Sequence, residues 1–212
     1  MGIKGLTKLI QQCAEGSFKE GQMKSYFGRI IALDATMALY QFLIAIRFGD
    51  QGNLTNDEGE TTSHINGFFY RTIRMMESGV KPIWIFDGKP PDFKAEELAK
   101  RREKREKAQK ELNEAKEAGD TERVVAMQKR TVKVNKGHIE DVQKLLTLMG
   151  VPWYAAPGEA EAQASRMCAQ GVVYGCGTED MDALTFGTTK LVRHLTESAA
   201  RKKPVLEFDL SK

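Results

Sequence analysis

Short apolar runs alternate with segments of helical periodicity along most of this 212-residue chain. Such runs are typical of buried strands, and their alternation with helices favours a mostly parallel central sheet with helices on both faces. The predicted strands are residues 29–34, 82–87, 151–155, 172–176, 190–194 and 205–208. The predicted helices are residues 36–47, 62–78, 138–149 and 158–170. The pattern therefore predicts an α/β protein with one well-filled core.

The segment 93–135 interrupts this alternation. It has few large apolar side chains before Val124, is rich in helix formers and is broken at Gly119 and Asp120. Two helices joined by a tight turn are predicted, protruding from the sheet rather than packing into it. The segment is basic although the formal net charge of the chain is only +3. It predicts either a surface for an anionic partner or a solvated helix with i, i+4 ion pairs.

Six acidic residues lie at the ends of predicted strands or in short loops between elements. Ligands of a parallel sheet bind beyond the carboxyl ends of its strands, so these side chains are expected to converge there. Acids separated by one residue cannot share a helix face, which places the paired acids in a loop or a first helical turn. The six candidates are Asp34, Asp87, Glu159, Glu161, Asp180 and Asp182.

Six converging carboxylates would require cations. Two unit charges about 5 Å apart repel by roughly 3 kcal/mol at an effective dielectric near 20. Carboxylate oxygens with no His or Cys alongside favour Mg²⁺ or Mn²⁺ over zinc. For any single pair, acids placed to suit the dipole of a helix N-terminus are an equal alternative. A phosphatase that forms an aspartyl phosphate is disfavoured, because Thr36 stands where its second Asp would follow Asp34.

Basic residues supply a second part of the predicted site. Lys94 and Arg101 are seven residues apart, two helical turns, so both can point from one helix face toward the same phosphate. Lys104 and Arg105 continue this basic surface, which backbone phosphates would attract. The same run also fits a nuclear-localisation patch.

A second basic edge is predicted on the helix 62–78. Arg71 and Arg74 are three residues apart and therefore share a face of that helix. The opposite, apolar face is predicted to contain Ile65, Phe69, Ile73 and Met76.

Cysteine usage and hydropathy narrow the class of protein. Cys13, Cys168 and Cys176 form neither a disulfide framework nor a zinc pattern, which fits a reducing compartment. No apolar run approaches 18 residues, so no membrane-spanning helix and no membrane partner are predicted. The first ten residues lack the features of a signal peptide.

Several long motifs resemble those of the eukaryotic flap endonucleases, members of the structure-specific 5′ nuclease superfamily. They are MGIKGLTKLI at 1–10, LDATMALYQFLIAIR at 33–47, GETTSHINGFFYRTIRMM at 59–76, FDGKPP at 86–91, LAKR at 98–101, PGEAEA at 157–162 and TEDMDALTFG at 178–187. The resemblance covers essentially all 212 residues. It implies a PIN-like 5′ nuclease fold with an N-terminal region of about 1–107, a helical arch of about 93–135 and an internal region of about 123–212.

The resemblance implies a site for two Mg²⁺ ions, which Mn²⁺ can replace, and hydrolysis of DNA to a 5′-phosphate and a 3′-hydroxyl. One ion would be held by Asp34, Asp87, Glu159 and Glu161, and the other mainly by Asp180 and Asp182. Lys94 and Arg101 would orient the scissile phosphate and offset its developing charge. The implied DNA contacts are Gly2, Tyr40, Arg47, Arg71, Arg74, Lys104, Arg105 and Glu159.

The implied activity is that of a 5′ flap endonuclease and 5′–3′ exonuclease of DNA replication and base-excision repair. A monomer in the nucleus, with mitochondria as a second location, is expected, and the implied partners are DNA with 5′ flaps and a sliding clamp. Family members continue with a seventh metal-binding Asp, a helix-hairpin-helix region and a clamp motif, whereas this chain ends at Lys212. Feeble, Mn²⁺-favoured cleavage is therefore expected. The alternatives are a catalytically weak nucleic-acid-binding fragment and a related 5′ exonuclease.

Overall fold

The protein divides into two compact units. The structure, a computed structural model, describes residues 3, 5–14, 16–46, 54–197, 199–201 and 203–212. The first unit contains Met1–Ala38, Phe69–Lys89 and Leu146–Lys212, and the second contains Leu39–Phe68 and Pro90–Leu145. Among the described helices, none is long and apolar enough to cross a membrane.

A seven-stranded sheet forms the centre of the first unit. In chain order the strands are β1 (Phe18–Gly21), β2 (Ile30–Asp34), β3 (Lys81–Phe86), β4 (Trp153–Ala155), β5 (Gly175–Gly177), β6 (Lys190–Arg193) and β7 (Val205–Asp209). Their order across the sheet is β1-β7-β6-β5-β2-β3-β4. Strands β2 to β6 pair in parallel, whereas β7 pairs antiparallel with β6 and β1. The predicted α/β class with a mostly parallel sheet is confirmed.

Helices cover both faces of the sheet, as β3 shows. Ile85 belongs to a buried cluster with Ala160 and Ala164 of α7 (Ala160–Ala169), whose small side chains suit close helix–sheet packing. The neighbouring Trp84 is fully buried, and its Nε1 donates a 3.1 Å hydrogen bond to Thr72 Oγ1 of another helix. Because successive side chains of a strand point to opposite faces, the two helices lie on opposite sides of β3.

The helix that contains Thr72 is α3 (Ser63–Glu77), and its fully buried residues do not coincide with the apolar residues predicted to lie opposite Arg71 and Arg74. Within the first unit, Thr72 and Met75 are fully buried, whereas Phe69 and Met76 are 37% and 46% exposed. A buried indole N–H needs an acceptor, and the Thr72 hydroxyl supplies it. The apolar residues opposite Arg71 and Arg74 are therefore not the residues that the helix buries most deeply.

Two boundaries near the sheet also differ from the prediction. The strand predicted at 172–176 begins later, at β5, because the N–H of Val172 bonds the Met167 carbonyl and closes the end of α7. Strand β1 and the helix α1 (Leu6–Cys13) were not predicted. The sequence of β1, FKEG, lacks β-branched residues, and its place in the sheet depends on pairing with β7.

The segment 93–135 forms the two predicted helices in the second unit. Helix α4 spans Ala95–Glu117 and α5 spans Thr121–Arg130. Between them, Gly119 adopts a φ of +68°, which glycine tolerates without steric cost. Asp120 then caps α5, its Oδ1 accepting a 3.0 Å hydrogen bond from the N–H of Arg123. The break in the helical pattern was therefore located correctly.

Two further helices, α2 (Ala35–Ala45) and α6 (Lys136–Leu148), complete the fold.

In the second unit, Nε2 of the fully buried His64 lies 3.1 Å from Asp141 Oδ2, and the His64 ring centre lies 4.7 Å from that of His138. Burial, followed by the neighbouring His64, lowers the pKa of His138. This pair of rings therefore favours the neutral form of His138.

Candidate functional site

Carboxylates converge at the carboxyl edge of the parallel strands in the first unit. Asp34 is the last residue of β2, and Asp87 directly follows the last residue of β3. Glu161 lies in the first turn of α7, and Asp180 and Asp182 lie just past the end of β5, where a short 3₁₀ helix (Met181–Leu184) begins. Both acidic pairs therefore stand at helix starts, as their spacing predicted.

The pKa of Asp34 shows that these charges act on one another. Burial raises the pKa of Asp34 to about 7, against an ordinary value of 3.8. The backbone N–H of Met37 opposes this rise, and the negative charges of Asp87 and Asp180 add to it. At neutral pH, Asp34 is therefore partly protonated.

The pKa of Glu161 is affected by the same group of acids. Burial raises the pKa of its carboxyl to about 8, from an ordinary value of 4.5. Repulsion from other acids of the cluster contributes to the rise; these are Asp34, Asp180, Asp182 and Asp87. Five of the six predicted carboxylates are thus within electrostatic reach of one another.

Backbone N–H groups hold the carboxylates in place. Asp34 Oδ1 accepts a 2.8 Å hydrogen bond from Met37 N at the start of α2, and Asp87 Oδ1 accepts one of 2.8 Å from Ala160 N at the start of α7. Asp180 Oδ1 accepts one of 3.1 Å from the N–H of Asp182. Asp34, Asp87 and Asp180 therefore accept hydrogen bonds at helix starts and also belong to the cluster, whereas ion binding by the cluster stays a prediction.

Two contacts at the cluster were not foreseen. Asp182 Oδ1 accepts a 2.9 Å hydrogen bond from the N–H of Ile3, which places Ile3 at the cluster. Thr36 Oγ1 accepts a 3.1 Å hydrogen bond from the N–H of Asp87 and so links the ends of β2 and β3. The Thr two residues after Asp34 was visible in the sequence, but its partner lies 51 residues further along the chain.

Gly88 fixes the path of the chain beside Asp87. A Cβ built on Gly88 would lie 1.9 Å from the carbonyl oxygen of Ala156 and 2.9 Å from backbone atoms of Pro157. The N–H of Gly88 also donates a 2.7 Å hydrogen bond to the carbonyl of Gly158. Only glycine lets these two backbone segments approach so closely, and their approach brings Asp87 to α7.

Replacing Gly88 by Ala is expected to lower the free energy of unfolding by roughly 3 kcal/mol, because the methyl group meets rigid backbone. Gly158→Ala is the matched control in the same loop, since a Cβ there has its nearest neighbour, the Lys89 carbonyl oxygen, at 4.0 Å. Urea denaturation of both variants measures the difference. Equal losses of stability in the two variants would contradict the role assigned to the close approach.

The donor set fits a hard divalent ion. All the clustered side chains offer carboxylate oxygens, the ligands that Mg²⁺ and Mn²⁺ prefer. In the described part of the chain, no three carboxylate, imidazole or thiol side chains are already grouped closely enough to hold an ion.

Without a bound metal ion, the cluster makes the free energy of unfolding depend on pH. In EDTA, the free energy of unfolding is expected to fall by about 2 kcal/mol between pH 7 and pH 9. The raised pKa values of Asp34 and Glu161 mean that the folded state keeps protons that the unfolded state has lost. This contribution is complete below about pH 4 and disappears as the pH rises through the folded values.

Urea denaturation at pH 7, 8 and 9 in EDTA measures this fall, and Glu161→Gln should flatten it. The lowered pKa of His138 acts in the opposite direction, but mainly below its ordinary value of 6.5. A profile that is flat or that rises from pH 7 to pH 9 in the unmodified chain would show that folding does not raise the pKa values of Asp34 and Glu161.

The other predicted site residues lie on several elements. Glu159 occupies the N-cap position of α7, directly before the Ala160 N–H that binds Asp87. Tyr40 lies on α2 and is 37% exposed, so it is not a core aromatic residue. In the second unit, Lys94 directly precedes α4, and Arg101 on α4 forms an ion pair with Glu97.

Lys104 and Arg105 also lie on α4, where Lys104 is exposed and Arg105 is partly exposed. The ion pairs Lys100–Glu96 and Arg102–Glu106 on the same helix are of the i, i+4 type. The expectation that part of this basic run is a solvated helix surface is therefore confirmed. Gly2 and Arg47 lie outside the described residues.

Arg71 and Arg74 are oriented by the backbone of the loop after β6. Arg71 Nε donates a 3.0 Å hydrogen bond to the Thr196 carbonyl, and Arg74 Nη1 donates one of 2.8 Å to the Glu197 carbonyl. Sequence spacing placed the two arginines on one face of α3 but gave no sign of this loop, which follows them by more than 120 residues.

Fold and site together define an α/β protein whose parallel strands end at a cluster of oxygen-donor acids. The chain belongs to the XPG family. The XPG N-terminal domain matches residues 1–108, and the XPG I-region matches residues 150–212. The predicted membership of the 5′ nuclease superfamily is thereby confirmed.

Individual relatives agree with this assignment. The chain is 58% identical to flap endonuclease 1 of Nematostella vectensis over 210 residues and 57% identical to flap endonuclease 1-A of Xenopus laevis over 212 residues. These matches cover 99% and 100% of the chain but 55% of each relative. The chain therefore spans about half the length of the curated relatives that it matches.

Solved structures show the same fold. Flap endonuclease-1 from Methanococcus jannaschii matches with a TM-score of 0.68 and 39% identity, over 92% of this chain and 61% of that one. The catalytic core of Rad2 in complex with a DNA substrate matches with a TM-score of 0.68 and 26% identity, over 98% of this chain and 54% of that one. The predicted resemblance to the flap endonucleases is confirmed.

Proposed function

We propose that this chain is the nuclease core of a structure-specific 5′ flap endonuclease, which hydrolyses DNA phosphodiesters with two bound divalent ions. The observation that carries the proposal is the carboxylate cluster at the strand ends, where burial and mutual repulsion raise the pKa values of Asp34 and Glu161. Relatives named flap endonuclease 1, at 57–58% identity, support the substrate class. The Rad2 core, solved with a DNA substrate, supports DNA as the ligand.

In this proposal, the acids divide between two ions. Asp34, Asp87, Glu159 and Glu161 hold one ion, and Asp180 and Asp182 mainly hold the other. When bound, such ions supply an activated water and neutralise charge on the phosphate. The backbone hydrogen bonds to Oδ1 of Asp34, Asp87 and Asp180 keep these side chains oriented, which reduces the reorganisation that ion binding requires.

In this proposal, basic residues bind phosphates of the DNA and an aromatic residue stacks on a base. Lys94 and Arg101, two helical turns apart, orient the scissile phosphate and offset the charge that develops on it. Tyr40 stacks on a base near the site, a role that its 37% exposure permits. The remaining proposed contacts hold backbone phosphates; they are Gly2, Arg47, Arg71, Arg74, Lys104, Arg105 and Glu159.

The proposed biological setting follows that of the flap endonucleases. The chain would act as a monomer in DNA replication and base-excision repair, in the nucleus and also in mitochondria. The helices α4 and α5 would form the arch through which a single-stranded 5′ flap passes. A sliding clamp would be the partner of the longer family member.

A direct test uses a duplex that carries a labelled 5′ flap, under single-turnover conditions with Mg²⁺ and, separately, Mn²⁺. Cleavage at the base of the flap that leaves a 5′-phosphate and a 3′-hydroxyl is the expected result, with Mn²⁺ giving the faster reaction. A parallel measurement of DNA binding in EDTA separates an inactive binding fragment from a nuclease. Binding without cleavage in either ion would contradict the proposed activity.

A further inference from the structure

In the loop after β6, several cationic side chains surround the carboxylate of Glu197. None of these cations belongs to the cluster of acids at the strand ends. The side chain of Glu197 is only 18% exposed. Its Oε2 lies 2.8 Å from Arg201 Nη1, and its Oε1 lies 3.0 Å from Lys203 Nζ. Because the two oxygens bind different cations, one acid fixes the positions of two long and flexible side chains.

The same residue also orients a third cation through its backbone. The Glu197 carbonyl accepts the hydrogen bond from Arg74, and the preceding carbonyl accepts the bond from Arg71. Side chains from α3 and from the loop therefore all contact Thr196 or Glu197.

The group of residues around Glu197 has a net positive charge. Arg71, Arg74, Arg201 and Lys203 bring four positive charges, and Glu197 brings one negative charge. Burial lowers the pKa of Arg71, and repulsion from Arg74 and Arg201 lowers it further, while Glu197 opposes both. An anion placed among these groups would relieve the remaining repulsion.

A cavity of about 340 Å³ opens beside this group of residues. Arg74 and Lys203 line it, together with Gln22 and His194. Among the described residues that line it, none is acidic, and the polar side chains can all donate hydrogen bonds. Guanidinium and ammonium groups on one concave wall are the usual means of holding a phosphate.

We propose that this cavity binds one backbone phosphate of the nucleic-acid substrate, and that Glu197 is the residue that positions the cations for it. The inference rests on the proposed function, since it takes nucleic acid as the ligand. It adds Lys203, which lines the cavity, to the DNA contacts, and it gives the acidic Glu197 a favourable role in binding an anion.

Charge alone and positioning predict opposite effects of removing the acid. Glu197→Gln raises the net charge by one, so an effect of charge alone would tighten DNA binding. Positioning predicts weaker binding, because Arg201 and Lys203 lose the group that holds them and must be ordered by the DNA instead. We expect about fivefold weaker binding in Glu197→Gln, because two rotamer-rich side chains are released.

The experiment measures the affinity for a fluorescently labelled 5′-flap duplex by anisotropy, in EDTA and over a series of salt concentrations. Glu197→Gln should weaken binding with little change in the slope of log K against log salt, because Arg201 and Lys203 still neutralise phosphate once the DNA has ordered them. Glu140→Gln is the matched control, since Glu140 forms an i, i+4 ion pair with Lys136 on α6. It should leave binding unchanged or slightly tighter.

A double-mutant cycle separates positioning from a loss of folding. In a Lys203→Ala background, Glu197→Gln should weaken binding by much less than in the unmodified chain, because part of what Glu197 positions is already gone. Melting temperatures of all variants are measured alongside. A general structural defect would weaken binding equally in both backgrounds and would overturn the proposal.

The remaining outcomes are distinguishable. If the unmodified chain binds DNA and Glu197→Gln binds as tightly as Glu140→Gln or more tightly, the positioning role is wrong and the proposed function stands. If the unmodified chain shows no salt-dependent binding to flap or plain duplex DNA, the proposed function fails and the subsite fails with it. Inorganic phosphate should compete with DNA for this cavity, and it should therefore weaken DNA binding less in Glu197→Gln than in the unmodified chain. Equal weakening in both proteins would place the anion site elsewhere.

Discussion

Replacing both Asp34 and Asp87 by Asn is expected to abolish flap cleavage, with a loss on the order of 10³-fold or more. The two acids lie at the carboxyl ends of adjacent strands, and their charges act on each other. Losing both removes two of the four acids proposed for one ion. Single-turnover rates in saturating Mn²⁺, the ion expected to give the faster reaction, measure the loss.

The same variant has a second expected result that does not depend on activity. Without Mg²⁺ its melting temperature should equal or exceed that of the unmodified chain, because neutral amides replace acids that repel each other. Mg²⁺ should raise the melting temperature of the unmodified chain and of Glu140→Gln, but much less that of the double Asn variant. An equal Mg²⁺-induced increase in all three proteins would rule out ion binding at this cluster.

Replacing Lys94 or Arg101 by Ala is expected to lower the single-turnover rate by on the order of 10²-fold, with little loss of DNA affinity. The proposed role of both residues is to stabilise charge that develops only in the transition state. Replacing Lys104 and Arg105 together should do the opposite, weakening binding and flattening its salt dependence while the bound complex still reacts. Separate measurements of affinity and of the single-turnover rate distinguish the two effects.

Lys100→Ala is a suitable control for Arg101→Ala. Lys100 pairs with Glu96 just as Arg101 pairs with Glu97, so both substitutions remove one i, i+4 ion pair from α4. Such exposed pairs contribute at most about 1 kcal/mol to stability. A rate that falls as far in Lys100→Ala as in Arg101→Ala would assign the effect to the helix surface rather than to a positioned guanidinium.

Much of the site could be predicted from the sequence because the relevant signals are local. An apolar run that ends in Asp placed Asp34 and Asp87 at strand ends, and the one-residue spacing of Glu159 and Glu161 excluded a shared helix face. The helix break at Gly119 was likewise a property of a few adjacent residues. Each of these inferences concerns the conformation of one segment, which its own residues largely determine.

Burial on α3 and the path of the chain around the site could not be predicted in this way. Thr72 is buried because Trp84 of β3 needs an acceptor, and Gly88 is required because the backbone at Ala156 passes against it. In both cases the partner belongs to another element, and periodicity within one segment carries no information about it.

The sequence by itself therefore determined the α/β class, the acids at the strand ends and the helix pair at 93–135. Only the tertiary structure decided how deeply Asp34 and Glu161 are buried and which acids lie near them, and these two factors raise their pKa values. It also decided that Arg74 and Lys203 meet at Glu197. The physical reason is that hydrogen bonds and charge interactions depend on distances of a few ångströms between residues far apart in the chain, and folding alone sets those distances.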